Sequence, residues 1–401
     1  MIALTNAILV GDELIRGKTL YLESGRIYAI TDEVLQADEV IDMNGCYLAP
    51  GFIDIHTHGA GNSDYMDGTL EAVETAAAVQ LSHGCTTVVP TTLSYGMESV
   101  ANAVELVRQA AQNKMLPNLP GVHLEGPYFS KNQAGAQDPR YITPPVPAEY
   151  TAFLRDHGNF VKRWSFAPEL PGAAEFCAAL LRSGISPSVG HSDAAYADVK
   201  RVYDLGCRCV THLYSGMSTI VRKNAYRVLG VVESAYLLED MMVEVIADGK
   251  HLPPELLRLV YQLKGPDRIC LITDSMRGAG MAEGPTVLGR REDGVPCVIE
   301  DGVAKLLDRS AFAGSVATFD RLVRVMYHDA AVPLTDCIKM ASATPAKVLG
   351  LQSQKGHLAV GFDGDLVAFD EDISVKWVFL RKGEETVLHH ISVDEPQQNE
   401  T

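Results

Sequence analysis

Phe52-Ile-Asp-Ile-His-Thr-His58 is the stretch on which the fold turns. It opens as a buried strand and ends on two histidines spaced i and i+2. Side chains two apart on a strand point to the same face, so two imidazoles at one strand end can reach a single metal ion. The pattern recurs along the chain. Glu125 ends Val122-His-Leu-Glu125, and His191 ends Ser188-Val-Gly-His191. His212 follows Cys209-Val-Thr211, and Asp274 follows Ile269-Cys-Leu-Ile-Thr273. Each short run reads as a strand, and each ends on a residue able to hold a metal.

Working outward, eight strands are expected, at residues 52–58, 86–91, 121–126, 163–168, 186–191, 209–213, 243–248 and 269–274. Helical periodicity fills intervals between them, as at Thr69–His83, Met97–Asn113, Ala173–Ser183 and Pro254–Leu263. Two more helices, near Phe319–His328 and Leu334–Met340, follow the eighth strand. Alternating strands and helices of this number predict an α/β fold, a (β/α)8 TIM-type barrel over residues 50–351. The alternative, a doubly wound open sheet, lacks a Gly-rich phosphate loop after the first strand. In a barrel the active site lies at the C-terminal strand ends, where all six candidate ligands stand.

The chain ends read differently. Residues 1–49 alternate apolar and polar positions, with Gly at turns such as Ser24-Gly-Arg-Ile27, and predict a small antiparallel β unit. The pattern returns in Gly356–Phe369, read as strand, turn, strand, and in Val375–Leu380. Residues 1–49 and 352–392 are therefore expected to form one small β-sandwich domain, with 393–401 a frayed tail.

With 47% hydrophobic and 21% charged residues, the composition is that of an ordinary globular protein. A net charge of −17, spread along the chain, argues against nucleic acid as a partner. No apolar stretch is long enough to span a membrane, and the N-terminus reads as a first strand, without the basic region of a signal peptide. A cytoplasmic location is expected. The eight scattered cysteines read as small core residues in a reducing compartment. Cys207 and Cys209, near His212, also allow a thiolate site.

A catalytic divalent metal needs three or more N/O ligands and an open position. His56, His58, His191, His212, Glu125 and Asp274 are enough for two ions per chain sharing a carboxylate. Such a pair activates water and polarises a carbonyl, while Asp274 moves the proton from the attacking water to the leaving amine. Zinc fits this donor set; iron, manganese and cobalt are also compatible. No Gly-x-Ser-x-Gly elbow is present.

At these residues the chain resembles the N-acetylglucosamine-6-phosphate deacetylase family of the amidohydrolase superfamily. The resemblance rests on His123-Leu-Glu-Gly-Pro127, Ala134-Gly-Ala-Gln137, Ala167-Pro-Glu169, Gly190-His-Ser192, Thr211-His-Leu-Tyr214, Ala247-Asp-Gly-Lys-His251, Thr273-Asp274 and Ala313-Gly-Ser315. It implies a hydrolase that deacetylates an amino-sugar phosphate, with Glu125 a bridging ligand, Asp274 the catalytic carboxylate, His251 near the reacting carbonyl, and a homodimer. Gln137 falls on a loop expected to cover the substrate.

Three departures from the family stand out. Ser215-Gly216 replaces a usual Asn-Ala that contacts substrate. In Val221-Arg-Lys-Asn224, Lys223 falls where the family has a phosphate-gripping arginine, with Arg222 beside it; lysine offers a point charge instead of a bidentate fork. Arg277 stands just beyond Asp274, as a second anion contact or a solvated surface arginine. These departures leave open a second substrate reading, the same metal chemistry on N-acetylgalactosamine 6-phosphate or an unphosphorylated acylamino sugar.

Overall fold

Eight parallel strands hydrogen-bond side by side in chain order: Phe52–Thr57, Cys85–Thr92, Val122–Glu125, Val161–Phe166, Ser186–Val189, Cys209–Val210, Met242–Ile246 and Ile269–Ile272. The computed structural model describes residues 1–391; the expected frayed tail at 393–401 lies outside the described residues. The first and eighth strands meet at their C-terminal ends, where Asp274 N–H donates to His56 O at 2.9 Å and His58 N–H to Ser275 O at 2.7 Å. The sheet thus closes into the expected barrel.

Helices follow the strands for local reasons. Leu70–Ser82 starts where the Thr69 hydroxyl accepts from Ala72 N–H at 3.2 Å, a cap of the kind contributing about 1 kcal/mol. Its buried residues, Ala72, Val73, Ala76, Ala77, Gln80 and Leu81, recur at helical spacing. Pro147 and Pro254 begin Pro147–His157 and Pro254–Lys264, where a missing N–H costs nothing.

Strand parity places function. His123 pairs with Arg163 and Arg163 with Ser186, while Glu125 pairs with Ser165 and Ser165 with Ser188. His123, Arg163, Glu125, Ser165 and Ser188, with Asp54, His56 and Glu244, are buried polar groups within the barrel strands. Ile53, Ile55, Cys270 and Ile272 instead pack against Ala346 and Val348 of the helix Ala343–Val348.

The β-sandwich uses both chain ends. One sheet of four strands comes from residues 2–42; the other, of six, orders Glu385–His390, Val375–Lys382, Leu366–Phe369, Tyr47–Pro50, Ile8–Val10 and Leu14–Ile15. Leu4, Leu20 and Ile27 from the first meet Leu9, Leu48 and Phe379 from the second in one core.

The N-terminal β unit is mixed, not purely antiparallel. Ile2–Thr5 pairs in parallel with Glu39–Asp42, and Ile8–Val10 with Tyr47–Pro50, because the chain crosses through Thr19–Thr31 before returning. Only Leu366–Phe369 of the expected strand-turn-strand forms a strand. Residues before it turn at Gly356 and Gly361, both at positive φ, and Asp363 is taken by Arg381 and Lys355. A three-stranded antiparallel sheet, Gly284–Leu288, Val295–Glu300 and Val303–Leu306, was not anticipated after Asp274. No helix among the described residues is long and apolar enough to cross a membrane.

Candidate active site

His56, His58, Glu125, His191, His212 and Asp274 converge at the C-terminal end of the barrel, each no more than 8% exposed. Glu125 lies between two histidine pairs. Its Oε1 is 2.8 Å from His212 Nε2 and 3.1 Å from His191 Nε2, and its Oε2 is 3.3 Å from His58 Nε2. Asp274 Oδ1 closes the other side, 3.1 Å from His58 Nε2 and 3.4 Å from His56 Nε2.

The backbone bends to achieve this. His191, His212 and Asp274 have φ of 46°, 26° and 45°, a region that side chains other than glycine's rarely enter without support. For Asp274 the support is its hydrogen bond to His56 O and one from Ser315 N–H, at 2.8 Å, to its own carbonyl. After Glu125, Gly126 at φ +105° is required: a Cβ there would stand 2.1 Å from Ser94 Oγ.

The donor set fits a metal. Two groups sharing Glu125, namely His56–His58–Glu125 and Glu125–His191–His212, hold their ligand atoms within 4.8 Å of one another. Within each group two Nε2 atoms face each other, at 3.3 Å for His56–His58 and 3.2 Å for His191–His212. Lone pairs opposed in this way repel unless a cation or proton lies between them. Without a metal the groups share protons: burial alone would disfavour a charged His58, but Asp274 and Glu125 bring it up to about 9. Burial alone would likewise raise Glu125, but His56, His191 and His212 hold its carboxyl well below the usual range.

Support comes from neighbouring side chains. His191 Nδ1 donates to Gln133 O at 2.8 Å, leaving Nε2 for the centre. Gln137 donates to Glu125 Oε2 at 2.6 Å and accepts from Ser94 N–H at 2.8 Å. His123 bonds Ser165 Oγ at 2.7 Å and packs edge-on against His56. Asp54, which accepts from Thr273 Oγ1 at 2.5 Å, is pushed up to about 7 by burial.

A cavity of about 290 Å³ opens over the centre, near the lower end of the usual range for small-molecule sites. It is lined by His58, Glu125, His191, His212 and Asp274, and by Gln137, Ser215, Gly216 and His251. Asp248 holds His251 Nδ1 at 2.8 Å. The unanticipated sheet and the loop after it contribute Leu288 and Phe312. Arg222 and Lys223 are not brought here; they sit exposed on the hairpin Val221–Lys223/Tyr226–Val228. Arg277 neither lines the cavity nor meets solvent. It is 1% exposed, paired with Asp67, and donates to the carbonyls of Asn62, Val287 and Gly289. Cys207 and Cys209 are buried and free.

The amidohydrolase family profile matches residues 47–396. The chain belongs to the amidohydrolase family. As an amidohydrolase it is a hydrolase acting on an amide, and its buried His/Glu groups suit the family's dependence on metal. It is 32% identical to an N-acetylglucosamine-6-phosphate deacetylase of Lysinibacillus sphaericus over 88% of this chain and 89% of that one. Identity to a protein of the same name from Vibrio furnissii is 33%, over 89% and 88%. Among solved structures, the Pasteurella multocida deacetylase of that name superposes with a TM-score of 0.88 at 28% identity, covering 97% of this chain and 99% of that chain. A mutant of the Mycobacterium smegmatis enzyme, in complex with N-acetyl-D-glucosamine-6-phosphate, gives 0.86 at 30%, covering 95% and 98%.

Sequence reasoning missed Arg163 and Glu244, a buried ion pair beneath the centre, and Asp248, which orients His251. A signal for Glu244 existed: one carboxylate inside the otherwise apolar Met242-Val-Glu-Val-Ile246.

Proposed function

We propose that this amidohydrolase removes the acetyl group of N-acetylglucosamine 6-phosphate, giving glucosamine 6-phosphate and acetate. The observation that carries the reading is the placement of Asp274 beside two histidine pairs bridged by Glu125, on the floor of one cavity. The substrate comes from the deacetylases that align with nearly the whole chain.

Two divalent ions are proposed, one at each group sharing Glu125, with zinc suited to the imidazole and carboxylate donors. When bound they supply an activated water and a polarised amide carbonyl. Asp274 accepts a proton from the attacking water as the C–O bond forms. It then delivers that proton to the amide nitrogen as the C–N bond breaks, so that amine and acetate leave. Its oxygen is pre-aimed by the backbone bonds on either side. With Nδ1 held by Asp248, the His251 ring is fixed facing the cavity beside the reacting amide. Gln137, used at both ends of its amide, keeps Glu125 from rotating.

No lysine or arginine lines the cavity among the described residues, so the phosphate must be met from elsewhere. The exposed Arg222 and Lys223 supply the charge, reaching the cavity of a second copy in a homodimer; Ser215 and Gly216 face the sugar.

Acetate release by metal-loaded protein tests this on N-acetylglucosamine 6-phosphate, its galacto epimer and unphosphorylated N-acetylglucosamine. Preference for the first is expected. Equal or better turnover of either other compound would overturn the substrate assignment while leaving the amide hydrolysis.

A further inference from the structure

Below the metal-binding groups the barrel interior holds two full charges. Arg163 and Glu244 are both 0% exposed and paired through Arg163 Nη2 and Glu244 Oε1. Arg163 Nη1 also donates to Ile55 O at 2.9 Å. Glu244 Oε2 points upward, 2.9 Å from His56 Nδ1 and 3.3 Å from the His212 backbone N–H. Burying such a pair is costly and often contributes nothing net to stability, so its presence calls for another reason.

We infer that Glu244, fixed by Arg163, is a positioning residue that sets the tautomer of His56 and so directs the His56 Nε2 lone pair at the metal. An ionised carboxylate only accepts hydrogen bonds. The proton of neutral His56 therefore sits on Nδ1, and Nε2 is left unprotonated toward Glu125, His58 and Asp274. Of the other three histidines, His191 has its Nδ1 bonded, whereas His58 Nδ1 and His212 Nδ1 are buried without partners among the described residues. The Arg163–Glu244 pair thus singles out one histidine and, through the His212 amide, touches a second. The inference rests on the metal reading above.

The chemistry dictates an asymmetric test. An amide has one accepting oxygen and one donating nitrogen. In Glu244→Gln the charged Arg163 claims the oxygen, so the NH2 faces His56 Nδ1. That forces the ring proton onto Nε2 and blocks the metal. In Arg163→Met/Glu244→Gln nothing claims the oxygen, the amide turns, and the wild-type tautomer returns.

Zinc affinity of the full chain, measured by competition with a chromophoric chelator, reads this without reference to activity. Glu244→Gln is expected to bind zinc about 10- to 100-fold more weakly, the usual range for loss of a ligand's hydrogen-bond partner. The double variant should return to within about threefold of wild type, while Arg163→Met/Glu244→Leu, equally free of an unpaired charge but offering His56 no acceptor, stays weak; a purely structural pair would be rescued in both. Unchanged affinity in folded Glu244→Gln, or equal weakening in it and in Arg163→Met/Glu244→Gln, overturns the inference. Should the single variant not fold, Arg163→Met/Glu244→Leu decides: it removes both charges and every acceptor, and wild-type affinity there overturns the inference. A wild-type chain that binds neither zinc, manganese nor cobalt overturns the metal reading itself, and this inference with it.

Discussion

Replacing Asp274 with asparagine separates proton transfer from everything else the residue does. The backbone at φ 45° suits asparagine as well as aspartate. The bonds to His56 O and from Ser315 N–H are main-chain and survive, so the variant should fold. The Glu125–His191–His212 group is untouched, so metal should remain. What is lost is a group able to take a proton at neutral pH. General acid–base catalysis contributes about 10²- to 10⁴-fold, or roughly 3–5 kcal/mol at 1.36 kcal/mol per tenfold. Asp274 serves both proton transfers, so kcat for acetate release should fall at least ~1,000-fold, near the upper part of that range. The low-pH limb of the rate profile, set by protonation of this carboxylate, should vanish with it. Steady-state acetate release alongside metal content is the assay. A kcat within tenfold of wild type, with metal and fold intact, would falsify the role.

Dialysis against a chelator should abolish acetate release and added divalent metal restore it; full activity in metal-free protein would remove the metal from the chemistry. Arg222→Ala/Lys223→Ala should raise KM for the phosphorylated sugar about 10- to 100-fold, from the roughly 1.5–3 kcal/mol of a hydrogen bond to a charged group, and leave the unphosphorylated sugar unchanged. Equal effects on both substrates would refute a phosphate contact. Asp320 concerns stability: burial alone would raise it, but His83, 3.0 Å away, and Arg324 hold it at about 2 against an ordinary 3.8. A depressed carboxylate stabilises the fold above its unfolded pKa and loses that contribution as pH falls through the folded one. Asp320→Asn should therefore cost about 2 kcal/mol at neutral pH and flatten the stability change between about pH 4 and 2, measured by urea unfolding. Wild-type-like curves at both ends would exclude it. Gly126→Ala, with its Cβ 2.1 Å from Ser94 Oγ at φ +105°, should destabilise by upwards of about 1–2 kcal/mol and displace Glu125. A variant with unchanged melting temperature and zinc affinity would show that the loop yields freely.

Much of this architecture is legible in the chain because parallel strands buried on both faces read as short apolar runs, and five of the eight here run out on a residue able to hold a metal. That is why all eight strands could be placed before the structure, and why His56, His58 and the four other strand-end residues could be named together. The unanticipated sheet is a different failure. Glu300-Asp-Gly-Val303 is a two-residue Asp-Gly hairpin, Glu300 pairing with Val303 and both turn residues at positive φ, a strong local signal that lies outside the eight-strand repeat of the barrel. The basic hairpin is legible as charge, but its destination is not, since the residues it serves need not lie on the same copy.

Arg163 and Glu244 were illegible for a deeper reason. Their partnership spans 81 residues, and neither residue's neighbours announce it. Parity does, once the barrel is assumed. Register places Arg163 beside His123, and Ser165 beside Glu125, so Arg163 must point where the ligands point. Glu244 lies in a run whose other four members are apolar. A charge at inward parity within a barrel strand has no solvent to reach, and burial without a partner is too costly to persist. The interior must then supply an opposite charge. The carboxylate that neutralises Arg163 has a second oxygen left, and among the described residues it meets His56 and the His212 amide. The buried pair and the metal-binding histidines are therefore one construction: the lower charge fixes the carboxylate, and the carboxylate fixes the ring.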